Sequence, residues 1–83
     1  MTIKVLYFAR LREQFGIAEE VIEMSAGTVT TLLELLRSRG QPWRQQLSPE
    51  QTYRVAINQV LVDATARITT GDEIAIFPPV TGG

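Results

Sequence analysis

Segment 28–40 restricts the fold of this 83-residue chain more than any other. Its apolar residues recur at the i, i+3, i+4, i+7 spacing of one helix face: Val29, Leu32, Leu33 and Leu36. This spacing predicts an amphipathic helix that Thr28 caps and Gly40 ends, with Arg37 facing water. It is the most regular element in the sequence, so we expect one main helix.

Strands are predicted on both sides of this helix, because the remaining apolar segments are short and rich in β-branched and aromatic residues. The predicted strands are 3–8, 19–24, 53–57, 60–62 and 73–77. The mixed pattern of 19–24 suits an exposed sheet edge. Residues 10–15 can add one or two helical turns, and 42–51 are expected to be irregular or one short helix, with Trp43 lying on the core.

One helix cannot cover both faces of so many strands, so we expect an α+β fold with a single mixed sheet and the helix across one face. The other face should stay partly exposed. Phe8, Leu61 and Phe77 are candidates for that open face, and an exposed apolar patch usually marks a protein partner. Ordinary core packing would give the same pattern, and the sequence leaves this alternative open.

Composition removes several classes of function. The chain has no Cys and no His, which excludes thiolate nucleophiles, imidazole catalysis and the usual transition-metal ligands. A net charge of −1 with scattered basic residues argues against nucleic acid as a partner. No apolar stretch reaches membrane-spanning length and the first residues do not resemble a signal peptide, so we expect a cytoplasmic protein without membrane contact.

The last predicted strand runs into two prolines and ends in two glycines. Prolines cannot continue a sheet interior and glycines cannot pack a core, so residues 1–77 are predicted to form the domain and 78–83 a flexible tail. The tail consists of Pro78, Pro79, Val80, Thr81, Gly82 and Gly83. A partner could thread this narrow segment, which would make the α-carboxylate of Gly83 the reactive group.

Three segments together resemble the small subunit of molybdopterin synthase. They are residues 3–10 (IKVLYFAR), Asn58-Gln59, and residues 72–83 (DEIAIFPPVTGG). A terminal Gly-Gly alone is weak, because ubiquitin-like modifiers and the sulfur carrier of the thiamine pathway share it. The run Pro-Pro-Val-Thr-Gly-Gly is more specific, whereas residues 39–51 carry no recognisable motif.

The resemblance implies a β-grasp, ubiquitin-like fold in which the first and last main strands lie side by side and parallel. It also implies a sulfur carrier that performs no reaction alone and holds no permanent cofactor. An E1-like activating enzyme would use ATP to adenylate Gly83, and a sulfur donor system would convert the adenylate to a thiocarboxylate.

The partner implied by the resemblance is the large subunit of molybdopterin synthase, in a heterotetramer of two small and two large subunits. The tail would enter that subunit and give its sulfur to cyclic pyranopterin monophosphate, with Phe8, Leu61 and Phe77 at the interface. Three alternatives stay open. The sulfur could go to another pathway, such as thiamine synthesis or tRNA thiolation, or the chain could be a ubiquitin-like protein modifier. A plain interaction domain with no chemistry at its end is a third function class.

Overall fold

The structure is a computed structural model that describes residues 1–79. Seven strands and three helices lie in this part of the chain. In chain order they are β1 (Thr2–Tyr7), α1 (Arg10–Phe15), β2 (Glu19–Glu23), β3 (Gly27–Thr28), α2 (Val29–Arg37), α3 (Trp43–Gln46), β4 (Arg54–Ile57), β5 (Val60–Val62), β6 (Arg67–Ile68) and β7 (Glu73–Phe77).

Five of the strands form one mixed sheet in the order β2, β1, β7, β4, β5. β1 runs parallel to β7, with Val5 opposite Ile74, whereas the other neighbours in this sheet are antiparallel. The first and last main strands therefore lie side by side at its centre, and β2 is an edge strand, as expected. One main helix across one face of such a sheet is the β-grasp, ubiquitin-like fold, and this prediction is confirmed.

Side chains alternate between the two faces of the sheet, as the pleat requires. On β7, Ile74 and Ile76 are fully buried, whereas Ala75 and Phe77 are half-buried on the opposite face. The prediction for this strand is confirmed. The buried face of the sheet and the apolar side of α2 together form one core cluster.

Helix α2 begins at a capping box. Thr28 Oγ1 accepts a hydrogen bond of 3.5 Å from the backbone N–H of Thr31, and the Thr31 hydroxyl accepts one of 3.2 Å from the backbone N–H of Thr28. All four apolar residues predicted for its inner side are buried: Val29, Leu32, Leu33 and Leu36. Because each such side chain stabilises the fold by roughly 1.5–3 kcal/mol when buried, this packing holds the helix on the sheet.

Trp43 covers one end of the core, as expected. Its ring stacks on Phe15 with ring centroids 3.8 Å apart and meets the edge of Tyr7 at 5.4 Å. The guanidinium of Arg39 lies 4.5 Å from the centre of the Trp43 ring. These contacts hold the short helices α1 and α3 against the end of the sheet.

One local feature was missed and two local expectations were wrong. The pair β3–β6 was not predicted, because two-residue strands carry no periodic signal and their pairing joins distant parts of the chain. Arg37 does not simply face water, since its Nε donates a 2.7 Å hydrogen bond to the carbonyl of Leu47 in a segment that folds back on α2. Tyr53 precedes β4 instead of beginning it, and its hydroxyl donates to the same carbonyl at 3.0 Å.

Candidate functional site

The predicted tail starts from the middle of the sheet. β7 lies between β1 and β4 and ends at Phe77, and the half-buried Pro78 and Pro79 follow it. The end of the last strand thus coincides with the predicted end of the domain at residue 77. The remaining tail residues predicted from the sequence lie outside the described residues: Val80, Thr81, Gly82 and Gly83.

An apolar concavity of about 610 Å³ lies on the open face of the sheet, beside the root of the tail. Its lining consists of Phe8, Ala9, Ala56, Gln59, Leu61, Ala75, Phe77, Pro78 and Pro79. All three predicted interface residues therefore meet on one surface, together with the two prolines. A partner that covered this surface would contact the start of the tail at the same time.

The three predicted interface residues lie outside the buried core cluster. Phe8 is 46% exposed and Leu61 is 64% exposed, while Phe77 is half-buried. Their expected placement on the open face is confirmed, and the alternative of ordinary core packing does not hold for Phe8 and Leu61. Contact with a partner stays a prediction for all three.

Two alanines form the floor of the concavity. Ala56 lies directly opposite Ala75 in the β4–β7 register and opposite Leu61 in the β4–β5 register. Directly paired residues project from the same face of a sheet, so the small alanines leave a hollow beside the larger Leu61. The sequence interpretation missed them, although each alanine interrupts a run of larger β-branched residues.

Leu61 is positioned by the hairpin between β4 and β5. Asn58 and Gln59 have φ values of 49° and 71°, which suits a two-residue hairpin turn. The Asn58 amide donates a 2.9 Å hydrogen bond to Asp72 Oδ1, and the backbone N–H of Glu73 donates one of 3.0 Å to Asn58 Oδ1. The hairpin that carries Leu61 is therefore tied to the beginning of β7.

The carboxylate of Asp72 stabilises a turn. Its Oδ2 accepts a 2.8 Å hydrogen bond from the backbone N–H of Thr69. This bond is the main reason why the pKa of Asp72 lies below its ordinary value, and the bond from Asn58 adds to it. Asp72 thus has a structural role at the start of the strand that leads to the tail.

Two basic residues, Lys4 in β1 and Arg10 in α1, are held by hydrogen bonds. Lys4 Nζ lies 2.8 Å from Glu19 Oε2, and this hydrogen-bonded pair raises the pKa of Lys4. Both side chains are about half exposed, so the pair contributes little to stability. Arg10, which follows the concavity residues Phe8 and Ala9, donates a 3.2 Å hydrogen bond to the carbonyl of Thr52. Both basic residues thus have partners within the chain, and neither lines the apolar concavity.

The described residues offer no grouping of acidic side chains that could hold a metal ion. Within residues 1–79, the helices are also too short or too polar to cross a bilayer. The features that distinguish this face are its apolar lining and its position at the root of the tail.

Comparison with known proteins decides the family. The model of the ThiS family matches residues 5–83. The chain belongs to the ThiS family. The molybdopterin synthase sulfur carrier subunit of Haemophilus influenzae is 40% identical to this chain over 81 residues, covering 98% of this chain and 99% of that protein. The resemblance inferred from the sequence is therefore confirmed.

Solved structures share the same fold. The small archaeal modifier protein 1 of Haloferax volcanii superposes with a TM-score of 0.72 at 25% identity, over 95% of this chain and 98% of that one. A chain from the complex of subunits 1 and 2 of the molybdopterin-converting factor of Helicobacter pylori also gives 0.72, at 23% identity and full coverage of both chains. At such low identity the second likeness supports the fold alone.

Proposed function

We propose that this chain is the sulfur carrier subunit of a molybdopterin synthase. The observation that carries the proposal is the full-length match, at 40% identity, to a protein of that name. The apolar concavity at the root of the tail supports it, because a carrier must dock on its partner close to the segment that it delivers. The working group in this proposal is the α-carboxylate of Gly83.

Activation of Gly83 is required for chemical reasons. A terminal carboxylate has a pKa of roughly 3.5, so at neutral pH it is ionised and resists attack by sulfur nucleophiles. Its oxygen attacks the α-phosphorus of ATP on an E1-like activating enzyme, which releases pyrophosphate and leaves an acyl adenylate. Sulfide-level sulfur from a donor system then displaces AMP and forms the thiocarboxylate.

Transfer of the sulfur regenerates the carrier. The thiocarboxylate sulfur attacks a carbon of cyclic pyranopterin monophosphate, and the new C–S bond replaces a C–O bond at that carbon, whose oxygen leaves and takes up a proton. Water then cleaves the acyl C–S bond, which leaves the sulfur on the pterin as a thiol. The Gly83 carboxylate returns unchanged, and two such deliveries supply the two sulfurs of the dithiolene. Because the chain contains no His and no Cys, acid-base groups for these steps come from the partner.

The large subunit docks on the concavity in this proposal. Phe8, Leu61 and Phe77 provide the apolar contact, and Pro78 and Pro79 direct the tail into the partner in an extended form. Gly82 and Gly83 suit a channel that is too narrow for side chains. Two carriers and two large subunits form the heterotetramer, in the cytoplasm, and the carrier binds no cofactor of its own.

The intact mass of the protein purified from its native cells tests the first step. Replacement of one terminal oxygen by sulfur adds about 16 Da, and a variant with one extra residue after Gly83 should lack this form. The extended variant should melt at the same temperature as the wild type, since the buried cluster ends at Ile76. Absence of the heavier form under conditions of active cofactor synthesis would contradict the proposal.

Partner choice separates this function from the alternatives. The mixture of the thiocarboxylated chain and a molybdopterin synthase large subunit should convert cyclic pyranopterin monophosphate to the dithiolene product. Activity only with a thiazole-forming or tRNA-thiolating enzyme would assign the sulfur to another pathway. Attachment of Gly83 to lysine side chains would instead identify a modifier, the role printed in the name of the archaeal protein that shares the fold.

A further inference from the structure

Ala9 has a backbone conformation that L-residues rarely adopt. Its φ and ψ angles are 52° and −128°, and the backbone N–H of Leu11 donates a 3.1 Å hydrogen bond to the carbonyl of Phe8. These values place Ala9 at the first central position of a four-residue turn of type II′, where glycine is strongly preferred. An alanine in this position strains the folded backbone.

The rest of the chain makes this alanine unusual. Among the described residues, only Asn58 and Gln59 are other non-glycine positions with positive φ, and they form a hairpin turn in which asparagine is favoured. The glycines with positive φ are Gly16, Gly40 and Gly71. The chain therefore uses glycine at other sharp turns, and the alanine at this turn calls for a separate reason.

The core does not supply that reason. Ala9 is exposed and lies outside the buried cluster, so its methyl group contributes little to folding. It does line the apolar concavity, next to Phe8 and together with Phe77 and Pro78. The strained residue thus sits on the surface that meets the root of the tail.

We infer that Ala9 is a contact residue for the large subunit, kept at the expense of the stability of the free carrier. This inference rests on the proposed function, because it needs a partner on the concavity. Its methyl group packs against an apolar group of the large subunit and contributes affinity that glycine cannot supply. Backbone strain at binding surfaces persists where the surrounding structure holds it in place, as the hydrogen-bonded turn does at this position.

The test is the substitution Ala9→Gly, measured for thermal unfolding of the free chain and for affinity to a molybdopterin synthase large subunit from the same organism. Relief of strain should raise the melting temperature by about 3–6 °C. Loss of one buried methyl group should weaken binding about three- to fivefold. The matched control is Ala26→Gly, which is exposed, has no positive φ and lies outside the concavity; it should not raise the melting temperature or change the affinity.

Opposite signs in the two measurements support the inference. A lower melting temperature for Ala9→Gly would show that the turn is not strained, and unchanged affinity would show that the methyl group is not in the interface; either result overturns it. Phe77→Ala, measured in parallel, shows whether a negative result concerns Ala9 alone or the proposed function as well. If Phe77→Ala weakens binding and Ala9→Gly does not, only this inference fails, whereas no binding by the wild type would overturn the proposed function and this inference together.

Discussion

The phenolic oxygen of Tyr7 lies 2.6 Å from Oε2 of Glu20, and this hydrogen bond joins β1 to the edge strand β2. Both oxygens of the same carboxylate also accept bonds of 2.9 Å from the guanidinium of Arg39, just beyond the end of α2. Burial, and then the bond to Glu20, raise the pKa of Tyr7 above its ordinary value, so the phenol stays a donor. One carboxylate therefore connects the sheet edge to the main helix.

Acid should weaken this connection. Burial alone would raise the pKa of Glu20, but the bonds from Arg39 and Tyr7 outweigh it and hold the pKa below its ordinary value. The stabilisation is therefore complete above about pH 4.3, the usual pKa of an unfolded Glu, and is lost as the pH falls through the lower folded value. Urea unfolding should show Glu20→Gln less stable by about 1–2 kcal/mol at pH 7.

The difference in the free energy of unfolding between the wild type and Glu20→Gln should shrink as the pH is lowered towards 3. Glu34→Gln is the matched control, since Glu34 is exposed on α2 and makes no ion pair among residues 1–79. It should differ little from the wild type at any pH. If the stability difference between the wild type and Glu20→Gln stayed constant with pH, the ionised carboxylate would not be the stabilising group.

Gly27 should not tolerate a side chain. A Cβ at this position would lie 2.7–2.9 Å from side-chain atoms of Thr31, which is itself part of the capping box of α2. Because Thr is β-branched and stiff, Gly27→Ala should lower the free energy of unfolding by about 1–3 kcal/mol. Gly71→Ser would not test this crowding, because open space surrounds Gly71. Only its φ of 86° makes a side chain unfavourable there. Unchanged stability for Gly27→Ala, measured in urea, would disprove the crowding.

Leu32→Ala should lower folding stability without a selective loss of affinity for a partner. Leu32 is fully buried beneath the sheet, so Leu32→Ala should cost about 2–5 kcal/mol in the free energy of unfolding. Leu35 on the same helix is 39% exposed, and Leu35→Ala should cost much less. Chemical denaturation gives both values. A selective loss of large-subunit affinity in folded Leu32→Ala would argue that binding reaches the helix side of the molecule.

Phe77 is expected to be an anchor of the interface. Phe77→Ala should weaken binding to the large subunit by about 2 kcal/mol or more, because aromatic side chains in apolar hollows dominate such contacts. Val21→Ala is the control, since Val21 is 67% exposed on the edge strand and does not line the concavity. Titration calorimetry measures the affinity of each variant for the large subunit, and thermal unfolding measures the stability of each free variant. If Phe77→Ala lost as much folding stability as affinity, the ring would belong to the core.

Much of the fold could be predicted because the signals were local. The apolar spacing in α2 and the alternation in β7 each depend on residues that are close together in the chain, and both predictions were confirmed. The pair β3–β6 could not be predicted, since each strand has two residues and Gly27 meets Ile68 only in the folded chain. Arg37 was misjudged for the same reason, because its partner Leu47 belongs to another segment.

The amino-acid sequence by itself determined the main helix and the principal strands. Its lack of His and Cys excluded several kinds of side-chain chemistry, and its terminal motif indicated the family. Only the tertiary structure decided that Phe8, Leu61 and Phe77 share one concavity floored by Ala56 and Ala75. The physical reason is that periodicity assigns a side chain to a face of its own strand, whereas neighbours on that face depend on register between strands distant in the chain. The strained turn at Ala9 depends likewise on backbone angles that its residue type disfavours.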